Sequence, residues 1–110
     1  MVKKSVIKKT RQYLMRVRHA GIPVEQGVIF GSYARGEARR ESDIDLLVVS
    51  PLFDEMKDNR ILDRLWRIGW RVDSRIEPFA VGVREFAENE SSPILEIARR
   101  EGVPVRLKRR

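Results

Sequence analysis

Cysteine is absent from all 110 residues, so neither a disulfide framework nor a thiolate-held metal can support this fold. The absence fits a reducing compartment, and a cytoplasmic location is the default expectation. Histidine occurs once, at His19, which excludes a metal centre built from histidines. Long apolar runs are missing too. Nothing approaches the roughly 18 residues that span a bilayer, and the basic start MVKKSVIKKT is not followed by the apolar core of a signal peptide. No membrane partner is expected. The P-loop pattern GxxxxGK[ST] is likewise absent, which removes the commonest nucleotide-binding signature.

Acidic residues are missing from both ends. Residues 1–20 carry seven Lys or Arg, residues 106–110 carry four, and neither segment has an acid. The net charge of +7 therefore sits in a basic N-terminal helix (3–20) and a basic tail (106–110). These are expected to be solvated arms, or elements that attract nucleic acid or an acidic partner. A composition of 42% apolar and 35% charged residues describes a globular chain, and its length suits a single domain spanning 1–110.

Apolar periodicity supplies the elements. Val6, Ile7, Thr10, Tyr13, Leu14 and Val17 recur at helical spacing, stopped by Gly21 and Pro23. The run GVIF (27–30) reads as a buried strand and IDLLVV (44–49) as a second, with a short helix over SYARGEA between them. Residues 58–71 form a helix with Asp58 or Asn59 as cap. Residues 75–81 form a third strand, which Pro78 assigns to an edge or a bulge. Helices over 83–88 and 93–101 follow, then a last strand at VPVRL. The order predicts an α/β (α+β) domain, a small mixed sheet flanked by helices. On their helix, Trp66 and Trp70 read as core residues, and Arg39 and Arg40 as a solvated helix face.

The stretch GSYARGEARRESDIDL (31–46) carries the chemistry. On a strand Asp43 and Asp45 share one face, and two carboxylates that close either share a proton or share a cation. Hard oxygen ligands suit Mg2+, which fills its remaining positions with water and phosphate oxygens. Upstream, Gly31 lets the backbone approach a ligand, Ser32 offers a hydroxyl, and the following helix start presents N–H groups to an anion. Together the two halves read as one nucleoside triphosphate site.

This stretch resembles the signature of the DNA polymerase β-like nucleotidyltransferase superfamily, a Gly-Ser followed by Asp-x-Asp. More narrowly, GSxARGxxxxxSDxDL resembles the minimal nucleotidyltransferases, with Gly31, Ser32, Ala34, Arg35, Gly36, Ser42, Asp43, Asp45 and Leu46 matching. The resemblance implies two-metal nucleotidyl transfer: Asp43 and Asp45 holding two Mg2+ ions, and Gly31, Ser32, Arg35 and Ser42 contacting the nucleotide. It also implies a third carboxylate from a neighbouring strand, expected at Glu77 with Asp73 as the alternative. Stand-alone members of that family resemble antitoxins that attach AMP from ATP to a tyrosine of a HEPN-type toxin. Transfer to an RNA 3′ end or a small molecule, and a catalytically silent binding module, are the alternatives.

Overall fold

The computed structural model describes residues 2–108. Five α-helices and four strands run in the order α1 (Lys4–His19), β1 (Gln26–Phe30), α2 (Ser32–Arg35), β2 (Ile44–Val49), α3 (Asn59–Val72), β3 (Ile76–Val81), α4 (Val83–Glu88), α5 (Pro93–Glu101) and β4 (Val103–Arg106). The strands form one mixed sheet ordered β3-β2-β1-β4. β1 is antiparallel to β2 and β4, whereas β2 and β3 run parallel, joined by the crossover through α3. Parallel neighbours need such a helical crossover.

The sheet is covered on both faces. Ile29, Ile44, Leu46, Val48 and Ile76 point to one side and pack with Tyr13, Leu14 and Val17 of α1 and Leu65 of α3. Val28, Phe30, Leu47, Val49 and Val81 point to the other and pack with Leu95 and Ala98 of α5. Both proline-containing strands, β3 with Pro78 and β4 with Pro104, lie at the sheet edges, where a missing N–H breaks no ladder. Within the first layer the Tyr13 hydroxyl donates to the Leu65 carbonyl at 2.9 Å. Burial holds its ionisation well above the usual phenol range.

Local chemistry fixes the element ends. Asp58 accepts from the Ile61 N–H at 3.0 Å to start α3, and Ser92 accepts from Leu95 N–H to start α5, with Pro93 behind it. One element has no counterpart in the apolar periodicity: a 3-10 turn over Pro51–Asp54. Its Asp54 carboxylate accepts the Arg84 and Glu85 N–H groups and so caps α4 from a distance in sequence.

Within the described residues the basic ends are packed against the domain. α1 is a packed helix with Val6, Thr10, Tyr13, Leu14 and Val17 buried, and the chain leaving β4 is tied to it by Arg11 donating to the Arg106 carbonyl and Arg18 to the Lys108 carbonyl. Residues 109 and 110 of the expected tail lie outside the described residues. Arg39 and Arg40 do not ride a helix either, because α2 stops at Arg35 and a loop leads to β2. The tryptophans also depart from expectation. Trp66 is 41% and Trp70 68% exposed, since Leu65 and Gly69 take the buried positions of α3.

Candidate active site

β1 ends at Phe30, and Gly31 turns the chain into α2 with φ 77° and ψ −149°. That conformation is essentially confined to glycine. A second constraint is steric: a Cβ on Gly31 would meet Asp45 Oδ2 at 2.3 Å. The turn after β1 and the second aspartate are thus in direct contact. α2 is a single turn, too short to build a macrodipole. Its opening N–H groups, those of Ser32, Tyr33 and Ala34, have no intrahelical acceptor.

Strand register assembles the carboxylates. Asp45 stands opposite Phe30 on β1 and opposite Glu77 on β3. The three side chains therefore lie across one face of the sheet, the face that α5 covers further along. Asp43 sits just before β2 and is exposed, and its carboxyl neighbours that of Glu77. Burial, then the neighbouring Asp43 charge, push Asp45 above the usual carboxylate range. Glu77 is pushed up as well, by burial first and then by Asp45 and Asp43. Phe30 and Phe79 meet with ring centroids 5.4 Å apart and floor the row behind the acids.

Asp73 is placed elsewhere. Both its oxygens are held by the Arg75 guanidinium, at 3.0 and 2.7 Å. The Arg75 hydrogen bonds keep its carboxyl below the ordinary range. Arg75 also donates to the Tyr33 hydroxyl at 2.9 Å and lies 5.8 Å from the Tyr33 ring centroid. Of the two acids expected for the third position, Glu77 joins Asp43 and Asp45, whereas Asp73 is bound into an ion pair.

Two residues expected at the nucleotide are engaged within the chain. Arg35 binds Glu37 at 2.8 Å and Glu101 at 2.9 Å, which ties α2 to the end of α5. The Ser42 hydroxyl accepts the Arg39 N–H at 2.8 Å and closes the turn before β2. Beside that turn, Lys3, Arg39, Arg40 and Arg75 line a cavity of about 450 Å³ with Tyr33 and Val6. The periodicity of the sequence gives no sign of this cavity, because it brings α1, the loop 36–42 and the start of β3 together.

The donor set fits a hard divalent cation. Asp43, Asp45 and Glu77 offer carboxylate oxygens alone, and among the described residues no cationic side chain forms an ion pair with them. Among the described residues no three His, Cys, Asp or Glu side chains are gathered into a ready-made metal cage. Mg2+ does not require one, since it takes one or two protein carboxylates and leaves its other positions to water and substrate phosphates.

A mixed four-stranded sheet with a glycine turn after its first strand and a helical crossover after its second defines the class: the architecture is that of the nucleotidyltransferases. The family model of the nucleotidyltransferase domain matches residues 7–103, and the chain belongs to that family. It is a nucleotidyltransferase. Among solved structures, a toxin–antitoxin complex with AMP-PNP superposes with a TM-score of 0.59 at 22% identity, covering 90% of this chain and 74% of that one. A protein from Sulfolobus solfataricus assigned as a nucleotidyltransferase gives a TM-score of 0.59 at 22% identity, covering 89% and 77%. A mutant of the toxin–antitoxin pair MntA-HpeT with two Asp-to-Glu changes gives 0.58 at 20%, covering 90% and 74%. No curated protein sequence matches the chain. At these identities the structural likeness is one of fold.

Proposed function

We propose that the chain moves a nucleoside monophosphate, AMP from ATP, to a hydroxyl of a partner protein, a tyrosine of a HEPN-type toxin, and so acts as an adenylyltransferase antitoxin. The observation that carries the reading is the row Asp45–Glu77, set by strand register, against the glycine turn at Gly31. The toxin–antitoxin structures among its neighbours support the choice of a protein acceptor.

In this reading Asp43 and Asp45 hold two Mg2+ ions, with Glu77 ligating one of them. The ions, when bound, stabilise charge on the attacking and leaving oxygens. The chain supplies the rest. Gly31 keeps the approach to Asp45 open, and Ser32 with the N–H groups of the α2 turn holds the β- and γ-phosphates. The acceptor oxygen bonds to the α-phosphorus, the bond from that phosphorus to the bridging oxygen breaks, and pyrophosphate leaves. Glu77, whose proton affinity is raised by burial and by its neighbours, takes the acceptor proton. Tyr33 and Arg75 fix the start of β3 and hence the height of Glu77 in the row.

One observation favours a second acceptor. The cavity lined by Lys3, Arg39, Arg40 and Arg75 would suit the phosphodiester backbone of an RNA whose 3′ end enters the site. The two readings separate when the protein is incubated with each α-labelled NTP, Mg2+, and either the protein encoded beside it or total RNA. Label on protein supports the first, and label on RNA supports the second. No transfer with either contradicts both.

A further inference from the structure

We propose that the outer face of α3, centred on Trp66 and Trp70, is the docking surface for the acceptor protein of the reading above, on which this inference rests. The occupant it fits is a protein surface with an apolar pocket rimmed by carboxylates.

The two tryptophans of the chain stand four residues apart on one helix, so they share a face one turn apart. Both are exposed, Trp70 by 68%. They do not serve the core, because Leu65 and Gly69 are buried and Ile61, Leu62, Ile68 and Val72 already pack against it. A helix that needed only its inner face would carry polar residues at 66 and 70.

Charge selects the partner. Arg60, Arg67 and Arg71 are exposed on the same helix, as is Arg64, whose guanidinium donates to the Ala20 carbonyl at 2.8 Å; the one exposed acid of α3 is Asp63, and it is paired with Arg67 at 2.9 Å. α3 contains no lysine. Tryptophan and arginine are the residues that dominate protein–protein hot spots, while lysine is depleted there. A second copy of the chain fits poorly, since a two-fold interface would set these arginines against themselves. Single-stranded nucleic acid fits less well than protein, because stacking platforms line a groove that tracks the backbone, and this face is a convex helix whose neighbouring lysines lie on α1.

Position links the surface to the reaction. α3 packs on the sheet face opposite Asp45 and Glu77, so an occupant leaves the nucleotide side open. The chain nevertheless runs from Trp70 to Glu77 in seven residues, a span of at most about 25 Å. Protein docked at Trp70 lies at the same end of the sheet as the carboxylates, with only the edge strand β3 to reach around.

The test uses the full chain with the purified protein encoded beside it, reading affinity and transfer of α-labelled ATP separately. Trp66→Ala and Trp70→Ala should each weaken binding and raise KM for that protein by about 30-fold or more, the hot-spot scale, with kcat unchanged. Both sites are exposed, so circular dichroism and the melting midpoint should stay those of the parent chain. Chains labelled with 5-fluorotryptophan should show both fluorine resonances shift on adding the protein. Unchanged affinity in both variants overturns the proposal. So does loss of binding to a 20-nucleotide RNA instead, or a parent dimer that Trp70→Ala dissolves. If the protein binds through the tryptophans but takes no label, the surface stands and the functional reading falls. If it takes label at an undiminished KM in both variants, the reading stands and the surface falls.

Discussion

Gly31 and Asp45 are in contact across the end of the β1–β2 pair: the carboxylate of Asp45 occupies the space that any side chain at position 31 would need. The turn proposed to receive phosphate and the acid proposed to receive a cation are therefore one steric unit. Gly31→Ala adds a Cβ 2.3 Å from Asp45 Oδ2 and places a non-glycine residue at φ 77°. It should destabilise the fold by about 1–3 kcal/mol in chemical denaturation, and lower transfer beyond what the folded fraction explains. Gly36→Ala, also at positive φ but at the other end of α2, should lose stability while keeping the specific activity of the folded protein.

Asp45 is raised by burial and then by Asp43, and Glu77 by burial and then by Asp45 and Asp43, and this sets stability against function. Both cost native stability once they ionise, so the metal-free protein should gain from them as pH falls through their folded values. Asp45→Asn removes one charge. It should raise metal-free stability by a few tenths to ~1 kcal/mol and cut transfer by about 10² to 10³, the scale of one lost preorganised electrostatic contact. Titrating Mg2+ should stabilise the parent protein, by about 2.7 kcal/mol at a hundredfold excess over Kd, and leave the variant's midpoint unmoved.

Asp73 runs the opposite way. Arg75 depresses its pKa, so its contribution is fully present above the ordinary carboxylate value and is lost as pH falls through the folded one. Asp73→Asn should cost about 1–2 kcal/mol near neutrality. The gap to the parent protein should close in acid, below the ordinary carboxylate range. Urea denaturation at a series of pH values reads this directly.

Most of the fold was legible because its periodicities are local. The apolar spacing in α1 and α3, the cap at Asp58, and Pro78 on an edge strand each follow from neighbours in sequence. The candidate site was legible where one short stretch carries it, at Asp43 just before β2 and Asp45 within it. Seeing where Asp73 and Glu77 lie required the Arg75 pairing and the β2–β3 register, the latter joining residues some thirty positions apart. Trp66 and Trp70 misled for a related reason. Helical spacing marks a face, but Gly69 and Leu65 decide which face meets the core, and a glycine at a packing position leaves no hydrophobic trace. The anchoring of Arg35 by Glu101 is likewise tertiary.

The most direct measurement compares Glu77→Gln and Asp73→Asn with the parent chain for transfer of label from α-labelled ATP, with Mg2+, to the protein encoded beside it. The account predicts that Glu77→Gln loses transfer by about 10² or more while Asp73→Asn, corrected for its folded fraction, keeps it. Parental transfer by Glu77→Gln, or its loss in Asp73→Asn alone, would contradict the account.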